Sequence, residues 1–266
     1  MRARRELGQN FLVDRGAVRR ILDALDPGPD ECVVEVGPGR GALTASLIER
    51  VGRIVAIELD PHLAIELRER FSRRALCLLE RDILRVDLES IAGEAGMAPG
   101  SSLVVVGNLP YNISKPIAMK LVRQRASVDR AVLMFQKEVA DRLTATPGTK
   151  AYGPLTILTG LTYRITRLFD LRPSAFRPRP KVDSSVTRWA PRETPVLGEE
   201  LEATLRRCLA ASFRHRRQTF RNNLRAALGS AAAADALLES AALDGSLRPE
   251  AVPPDGFLRL AERWPA

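Results

Sequence analysis

The sequence predicts an α/β domain built on a mainly parallel sheet, followed by a small all-helical domain. Short apolar runs rich in β-branched residues alternate with helical patterns between residues 32 and 145. Such alternation is typical of βαβ units, which place helices on both faces of a parallel sheet. Residues 201–243 have helical periodicity and no strand pattern. With 266 residues, the chain is long enough for one medium and one small domain.

The predicted elements follow one another in a regular order. The predicted strands are 32–36, 53–59, 75–82, 103–108, the first part of 131–145, the second part of 155–171, and 186–190. The predicted helices among them are 16–26, 41–51, 61–71, 113–124 and the remaining parts of 131–145 and 155–171. Residues 174–185 form a Pro-rich loop and 191–200 a linker. We therefore predict one domain over 1–190 and a helical domain over 191–266.

Charge and cysteine content indicate the class of protein. A formal net charge of +9 favours a polyanionic partner, although a generally basic proteome could produce the same charge. Cys32, Cys77 and Cys208 lie far apart, so neither a disulfide framework nor a zinc site is expected. No stretch approaches the roughly 20 apolar residues of a membrane span, and the N-terminus lacks a signal-peptide pattern. We expect a cytoplasmic protein with no membrane or metal partner.

A glycine-rich turn joins the first strand of the predicted sheet to its helix. Glu35-Val36-Gly37-Pro38-Gly39-Arg40-Gly41 would let a ligand approach bare backbone at a helix N-terminus. With Ala42 the turn also satisfies the G-x-G-x-x-A pattern of dinucleotide-binding folds, so an NAD-linked enzyme is one hypothesis. An isolated glycine pair is more often a simple tight turn, and the motif alone decides nothing.

Polar residues at the ends of the next three strands favour a different ligand. Glu58, Asp82 and Asn108 each close a predicted strand, and Glu58 lies 21 residues after Gly37, where a carboxylate can accept both ribose hydroxyls. Together with Glu35, these acids make the crevice negative. A pyrophosphate would be repelled there, whereas a cationic nucleoside without phosphate, such as S-adenosylmethionine, would be attracted. The NAD hypothesis is weakened but stays open.

The turn after the fourth strand identifies the chemistry. Residues 104–115 are VVVGNLPYNISK, and with the glycine turn they resemble the Rossmann-like class I methyltransferases that act on an amino nitrogen conjugated to a ring. Such an amine is a poor nucleophile because its lone pair is delocalised. The Asn108 side-chain oxygen and the Leu109 carbonyl could accept its two hydrogens, while Pro110 stiffens the turn and Tyr111 stacks on the base. This scheme needs no dedicated base.

Further motifs extend the resemblance over nearly the whole chain, from about residue 5 to about residue 261. They are QNFL (9–12), NLPYNIS-KPI, LMFQKEVADRL (133–143), KAYGPLTIL (150–158), SAFRPRPKVDSSV (174–186) and RRQTFRNNL (216–224). They resemble the ribosomal RNA adenine dimethyltransferases. Within that family the chain is most similar to the bacterial small-subunit (16S) branch, and the relatives that modify large-subunit RNA and confer macrolide resistance are the alternative.

The resemblance implies a function and a set of site residues. It implies S-adenosylmethionine-dependent dimethylation of the 6-amino group of adenines in 16S rRNA within small-subunit particles, by a monomer that takes part in ribosome biogenesis. The implied cofactor-binding residues are Asn10, Leu12, Gly37, Gly39, Glu58, Asp82 and Asn108. The implied catalytic residues are Asn108, Leu109, Pro110, Tyr111 and Phe176, with Phe176 stacking on the target base opposite Tyr111. Gln218 departs from the family pattern, where we would expect a lysine, and this puts one phosphate contact in doubt.

Two basic runs are candidates for RNA binding. Seven arginines and no acidic residue lie between Arg206 and Arg225, and Arg214, Arg217, Arg221 and Arg225 recur at helical spacing as a basic stripe. A second run, from Arg164 to Arg192, has eight basic residues against two acidic ones. A charge run is often only a solvated face, but two such runs fit a rim that contacts phosphates. A non-catalytic ribosome-assembly factor with the same fold is a further alternative.

Overall fold

The computed structural model describes residues 9–96, 98, 101–193 and 197–265. The chain divides into two compact units. The first comprises the residues up to Ala140 together with Tyr163–Pro191, and the second comprises Asp141–Thr162 together with the residues from Arg192 onward. The predicted start of the N-terminal match, about residue 5, lies outside the described residues.

The segment Asp141–Thr162 lies on the other side of the boundary that the sequence predicted. It joins the C-terminal helices because long-range hydrogen bonds hold it there. The Tyr152 hydroxyl donates to the Val252 carbonyl at 2.8 Å, and the Gly148 backbone N–H donates to the Glu250 carbonyl at 2.6 Å. The predicted domain 1–190 therefore includes a segment that the structure groups with the helical unit. Sequence periodicity follows chain order and does not detect such an exchange.

The first unit contains a sheet flanked by helices. Its strands are β1 (Phe11–Leu12), β2 (Cys32–Val36), β3 (Ile54–Glu58), β4 (Leu76–Glu80), β5 (Leu103–Asn108), β6 (Val128–Gln136), β7 (Tyr163–Leu171), β8 (Phe176–Arg177) and β9 (Ser184–Pro191). Its helices are α1 (Arg15–Leu25), α2 (Ala42–Val51), α3 (Pro61–Arg70), α4 (Leu88–Glu94) and α5 (Ser114–Arg123), and α6 (Lys137–Leu143) crosses into the second unit.

The main sheet has seven strands in the order β4-β3-β2-β5-β6-β9-β7. The strands β4, β3, β2, β5 and β6 are parallel to one another. Strand β9 is antiparallel to both of its neighbours, β6 and β7. The predicted α/β class with a mainly parallel sheet is therefore confirmed. Because β2, β3, β4 and β5 run in one direction, their carboxyl ends meet at one edge of the sheet.

Packing explains why these residues form these strands. Every residue of β2 (CVVEV) and β3 (IVAIE) is buried, as expected for central strands covered on both faces. Position 107 in β5 requires glycine, because a Cβ there would lie 2.7 Å from the carbonyl oxygen of Val36. The apolar face of α1 packs on the sheet through Ile21, Leu22 and Leu25.

A second, two-stranded sheet was not predicted from the sequence. Strands β1 and β8 pair antiparallel, with Phe11 opposite Arg177 and Leu12 opposite Phe176. Each strand has only two residues, which is too short for any periodicity to appear. The pairing ties the chain's N-terminal segment to the Pro-rich loop.

The second unit is helical, as predicted. Its helices are α7 (Pro154–Thr162), α8 (Glu199–Ser212), α9 (Phe220–Leu228), α10 (Ala231–Ser240) and α11 (Pro254–Glu262). Phe257 lies at its centre, with the rings of Phe213 and Phe220 each 5.6 Å away.

The prediction that four arginines form a basic stripe on one helix is wrong. The chain turns between α8 and α9, so Arg214 and Arg217 lie in that turn and only Arg221 and Arg225 lie on α9. The side chain of Asn223 fixes the turn: its Oδ1 accepts the His215 backbone N–H and its Nδ2 donates to the His215 carbonyl. A buried side-chain amide thus replaces the helical hydrogen bonds that the spacing had implied.

Candidate functional site

A pocket opens at the edge of the sheet where β2, β3, β4 and β5 end. Ten of the eleven residues predicted for cofactor binding and catalysis line this pocket; they are Asn10, Leu12, Gly37, Gly39, Glu58, Asp82, Asn108, Leu109, Pro110 and Tyr111. The eleventh, Phe176, does not. The sequence therefore predicted the position of the pocket and ten of the residues that line it, because the carboxyl ends of parallel strands meet at one edge.

The glycine turn forms the floor of the pocket. Gly37 and Gly39 have φ of +67° and +57°, which favours glycine, and the Gly37 N–H donates to the Ile57 carbonyl at 2.9 Å. A Cβ on Gly39 would lie 3.0 Å from the ring of Phe11. The turn therefore has glycine both for its backbone conformation and for the close approach of the N-terminal segment.

Glu58 is held rigidly at the end of β3. Its Oε2 accepts the Gly39 backbone N–H at 3.0 Å, and its Oε1 accepts the Asp60 backbone N–H at 2.9 Å. Burial raises the pKa of this carboxyl, and these backbone hydrogen bonds oppose the increase. Glu58 therefore also links the end of β3 to the glycine turn, a role that the sequence did not indicate.

Glu35 is the most deeply buried acid of the pocket, with 1% of its surface exposed. Its Oε2 accepts the Thr44 hydroxyl at 2.6 Å. Burial raises the pKa of Glu35 to about 7, an effect that the Thr44 hydrogen bond opposes and the nearby Glu58 increases. An unpaired buried carboxylate is costly, and a cationic ligand beside it would offset that cost. The sequence had indicated Glu35 only as part of the negative crevice.

The remaining walls also fit a cationic nucleoside. Asp82 follows β4, and its Oδ1 accepts the Leu84 backbone N–H at 2.9 Å, which directs the carboxylate along the pocket wall. Leu59, Leu63 and Ile83 supply apolar surface between Glu58 and Asp82. The combination of buried carboxylates and apolar walls fits S-adenosylmethionine, which has a sulfonium, an ammonium group and an adenine.

The turn after β5 presents Asn108 to the pocket. The Asn108 side-chain Nδ2 donates to the backbone carbonyl of Asn10 at 2.8 Å. This contact fixes the amide orientation, so that Oδ1 lies on the side away from Asn10. Pro110 has φ −56°, and Tyr111 begins a short 3₁₀ turn with its ring half-buried.

The N-terminal segment crosses the pocket and contacts several of its parts. The Gln9 side-chain amide donates to Asp60 Oδ2 at 3.0 Å, and the Arg40 guanidinium lies 4.8 Å from the centre of the Phe11 ring. The sequence indicated Asn10 and Leu12 as a cover for the pocket. It missed Phe11 and Asp60, whose contacts depend on residues distant in sequence.

Phe176 is placed differently from the prediction. Its ring is 1% exposed and belongs to the hydrophobic core of the first unit, next to Leu12 across the β1–β8 pair. In this conformation it offers no face to a base. The motif around it suggested a stacking residue, but motif similarity does not report burial.

The predicted RNA-binding arginines all lie in the second unit and are exposed. Arg214 and Arg217 extend from the turn between α8 and α9. Arg221 forms an ion pair with Asp235 at 2.7 Å. The neighbouring Arg216, which was not predicted, donates to the carbonyls of Lys150 and Tyr152 and so ties the turn to the segment before α7.

In the described part of the chain, no helix is long and apolar enough to cross a membrane. Among the same residues, no group of three or more His, Cys, Asp or Glu side chains is arranged to hold a metal ion.

The sequence matches one protein family over nearly its full length. The family described as "Ribosomal RNA adenine dimethylase" matches residues 1–264. Among similar proteins is one from Aromatoleum aromaticum, 45% identical over 224 residues, covering 84% of this chain and 82% of the relative. Another, from Pseudomonas fluorescens, is 40% identical over 263 residues, covering 98% and 94%. Both are named ribosomal RNA small subunit methyltransferase A.

Solved structures agree with this family. A dimethyladenosine transferase from Plasmodium falciparum superposes with a TM-score of 0.79 at 25% identity, covering 94% of this chain and 95% of that one. The 23S rRNA methyltransferase ErmE gives a TM-score of 0.69 at 27% identity, covering 96% and 99%. The Rossmann-like methyltransferase fold is thereby confirmed, and the NAD-linked and non-catalytic hypotheses lose their support. The chain belongs to the ribosomal RNA adenine dimethylase family and is an S-adenosylmethionine-dependent rRNA adenine dimethyltransferase.

Proposed function

We propose that this chain dimethylates the 6-amino group of adenines in the 16S rRNA of small ribosomal subunits, with the methyl donor bound in the pocket at the ends of β2 to β5. One observation carries this proposal. Asn108 stands at the end of β5 with its amide fixed by the Asn10 carbonyl, in the same pocket as the buried acids Glu35 and Glu58. An amide acceptor beside a site for a cation is what methylation of an aromatic amine requires.

Sequence similarity supports the small subunit as the source of the RNA. The two relatives described above that are named for the small subunit are 45% and 40% identical to this chain, whereas the 23S rRNA methyltransferase is 27% identical. The Asn-Leu-Pro-Tyr turn, the Pro-Lys-Val-Asp-Ser run and the Arg-Asn-Asn-Leu helix favour the same branch. We further propose that the protein acts as a cytoplasmic monomer on small-subunit particles during their assembly.

Residues of the pocket would bind the methyl donor by charge and hydrogen bonding. When bound, S-adenosylmethionine supplies a methyl group activated by its sulfonium. Glu58 would accept the ribose hydroxyls, since its carboxylate is already oriented by the Gly39 and Asp60 N–H groups. Asp82 would accept the adenine amino group, and Gly37 and Gly39 would allow the methionine end to approach the backbone. Asn10 and Leu12 would cover the ligand.

The turn after β5 would activate the target amine. Because the Asn108 Nδ2 donates to Asn10, its Oδ1 is the atom left to accept one amine hydrogen, and the Leu109 carbonyl would accept the other. Two acceptors on one side draw the nitrogen toward a tetrahedral form and direct its lone pair at the methyl group. Positioning of this kind accounts for much of the rate gain in such reactions. Among the described residues, no histidine lines the pocket, and the scheme assigns no residue as a base.

Tyr111 would hold the target base. Its half-buried ring is beside Asn108 and can stack on an extruded adenine, an interaction worth roughly 1–3 kcal/mol in nucleic-acid complexes. The buried ring of Phe176 is assigned instead to the packing of β8 against Leu12. Tyr111 then carries the stacking alone in this conformation.

The exposed arginines of the second unit would contact RNA phosphates. Arg214, Arg217 and Arg225 extend into solvent, and Arg221 has an exposed ion pair with Asp235 that is weak enough to be exchanged for a phosphate. Such contacts supply affinity without base specificity. Recognition of the target would come from RNA shape and from the extruded base.

The test is methyl transfer to small-subunit particles isolated from a strain that lacks the gene. We expect incorporation of two methyl groups per modified adenine, detected by mass spectrometry of digested 16S rRNA, and none in large-subunit particles. Protein with Asn108→Ala is the negative control. Methylation of 23S rRNA instead would overturn the small-subunit assignment, and transfer to neither RNA would overturn the proposed function.

A further inference from the structure

Tyr111 is anchored at both ends by serine hydroxyls. Its phenolic oxygen lies 2.9 Å from the hydroxyl of Ser184, and the Ser114 hydroxyl donates to its backbone carbonyl at 3.0 Å. Ser114 is the first residue of α5 and belongs to the same turn as Tyr111. Ser184 lies 73 residues after Tyr111 in the sequence, so its contact with Tyr111 is a tertiary one.

The backbone of Ser184 is held in the sheet by strands on both sides. The residue is fully buried, at 0% exposure, and is the first residue of β9. It lies between β6 and β7 in the sheet, opposite Gln136 on one side and Leu171 on the other. The preceding Asp183 carbonyl accepts the Lys137 backbone N–H at 3.0 Å. Because the backbone of Ser184 is fixed in the sheet, its hydroxyl offers the phenol of Tyr111 a partner at a defined position.

The next serine makes a different contact. Ser185 is also at 0% exposure, but its hydroxyl donates to Asp170 Oδ1 at 2.6 Å. Successive side chains of a strand point to opposite faces. The two serines are therefore neighbours in the same strand that face opposite ways, and of the two only Ser184 is hydrogen-bonded to Tyr111.

We propose that Ser184 is a positioning residue for methyl transfer, because its hydroxyl holds the phenol of Tyr111 so that the ring keeps one face toward the target adenine. This inference rests on the proposed stacking role of Tyr111. The proposal also assigns a role to the Pro-Lys-Val-Asp-Ser motif. Its serine, Ser184, places a buried hydroxyl next to the phenol of Tyr111, the residue that follows Asn-Leu-Pro. A phenylalanine in place of Tyr111 could stack equally well, but it could not be held from the sheet.

The alternative is that Ser184 is only a small polar residue that fills the start of a strand. In that case its loss would lower stability without any dependence on the phenol of Tyr111. The two accounts differ in whether Ser184 and Tyr111 act together, which a double-mutant cycle measures.

The cycle compares the parent with Ser184→Ala, Tyr111→Phe and the double variant. Each single change should lower kcat on unmethylated small-subunit particles roughly three- to tenfold, the equivalent of one hydrogen bond. The double variant should lose no more than either single one, and the affinity for S-adenosylmethionine should not change. Ser185→Ala is the matched control and should keep kcat within about twofold of the parent.

A loss in the double variant equal to the product of the two single losses would overturn the proposal, because Ser184 and Tyr111 would then act independently. An unchanged kcat in either single variant would overturn it as well. Active enzyme is counted by its stoichiometry for S-adenosylmethionine, so that partial unfolding of a variant does not count as lost kcat.

A second measurement does not depend on activity and separates this inference from the proposed function. The chain has only three tyrosines, so protein labelled with ¹³C-tyrosine should give three ring signals. Tyr111→Phe identifies the Tyr111 signal. Ser184→Ala should shift that signal and leave those of Tyr152 and Tyr163 in place, whereas Ser185→Ala should not shift it. An unmoved Tyr111 signal in Ser184→Ala would refute the contact, whatever RNA the enzyme modifies.

Discussion

The pocket of the first unit and the basic surface of the second differ in how their residues are held. In the pocket, Glu58 accepts hydrogen bonds from two backbone N–H groups, and the Asn108 side chain donates one to the Asn10 carbonyl. The glycine turn is hydrogen-bonded to β3. On the basic surface, Arg214 and Arg217 lie exposed in a turn between two helices. The pocket is thus arranged in advance for its proposed chemistry, whereas the exposed arginines, in their proposed RNA-binding role, would contact phosphates without a fixed geometry.

This difference sets the size of the effects that single substitutions should have. A group held by several hydrogen bonds acts at one place, and its loss is not compensated by neighbours. An exposed arginine is one of several cations that together attract a polyanion, so the others compensate in part for its loss. Substitutions in the pocket should therefore be severe and specific, and substitutions on the basic surface mild and cumulative.

The largest effect is expected for Asn108→Ala. Removal of a preorganised acceptor at the reacting amine should lower kcat by roughly 100- to 1000-fold, in the range seen for loss of one such group in an active site. RNA binding should be nearly unchanged. Single-turnover methylation of small-subunit particles measures the effect. Glu49→Ala, an exposed residue of α2 that does not line the pocket, is the control and should retain activity; near-parent rates in Asn108→Ala would show that Asn108 has no chemical role.

A smaller but still large effect is expected for Glu58→Ala. The change removes a charged acceptor for the ribose and also the acceptor of the Gly39 and Asp60 N–H groups. Affinity for S-adenosylmethionine should fall roughly 10- to 100-fold, as expected for lost hydrogen bonds to a charged group. Isothermal titration measures this, with Glu69→Ala on the exposed face of α3 as the control. Equal affinities in parent and Glu58→Ala would remove Glu58 from the binding site.

The pH dependence of cofactor affinity should depend on Glu35. Its pKa of about 7 in the free protein means that it is largely protonated below that pH. The ionised form attracts the cationic ligand, so affinity should rise as the pH increases toward 7, level off above it, and fall by up to about tenfold one unit below. Titrations in buffers of different ionisation enthalpy should detect protons released on binding.

Thr44→Val sharpens this prediction. The Thr44 hydroxyl donates to Glu35 and opposes the increase in its pKa. Its removal should move the midpoint of the pH dependence to higher pH. A profile that is flat between pH 5.5 and 8, roughly the window around the raised pKa, would contradict a role for the Glu35 charge.

The smallest effect is expected on the basic surface. Arg214→Ala combined with Arg217→Ala should lower the slope of log affinity against log salt by up to about two units, since each phosphate contact contributes ~0.7–0.9. Binding to small-subunit particles at several salt concentrations measures the slope. Arg248→Ala, exposed in the same unit but outside the basic runs, should leave it unchanged. If the double variant also leaves it unchanged, the two arginines are a solvated face.

Local pattern was sufficient for most of the fold and for the position of the pocket. Central strands such as CVVEV and LVVVGN are mainly apolar because both faces of a parallel sheet are covered, and this is visible in a stretch of five or six residues. Residues directly after such strands must lie at one edge of the sheet. Glu58, Asp82 and Asn108 could therefore be placed together, and the family resemblance supplied their roles.

Contacts between distant parts of the chain were decided by tertiary structure alone. The spacing of Arg214, Arg217, Arg221 and Arg225 suits a helix, but the buried side chain of Asn223 stabilises a turn there instead. Phe176 is buried because β8 pairs with β1, and two-residue strands leave no periodic signal. The Tyr111–Ser184 hydrogen bond joins residues 73 positions apart. Each depends on which hydrogen-bonding groups become buried together, and burial is a property of the packed chain that local sequence does not contain.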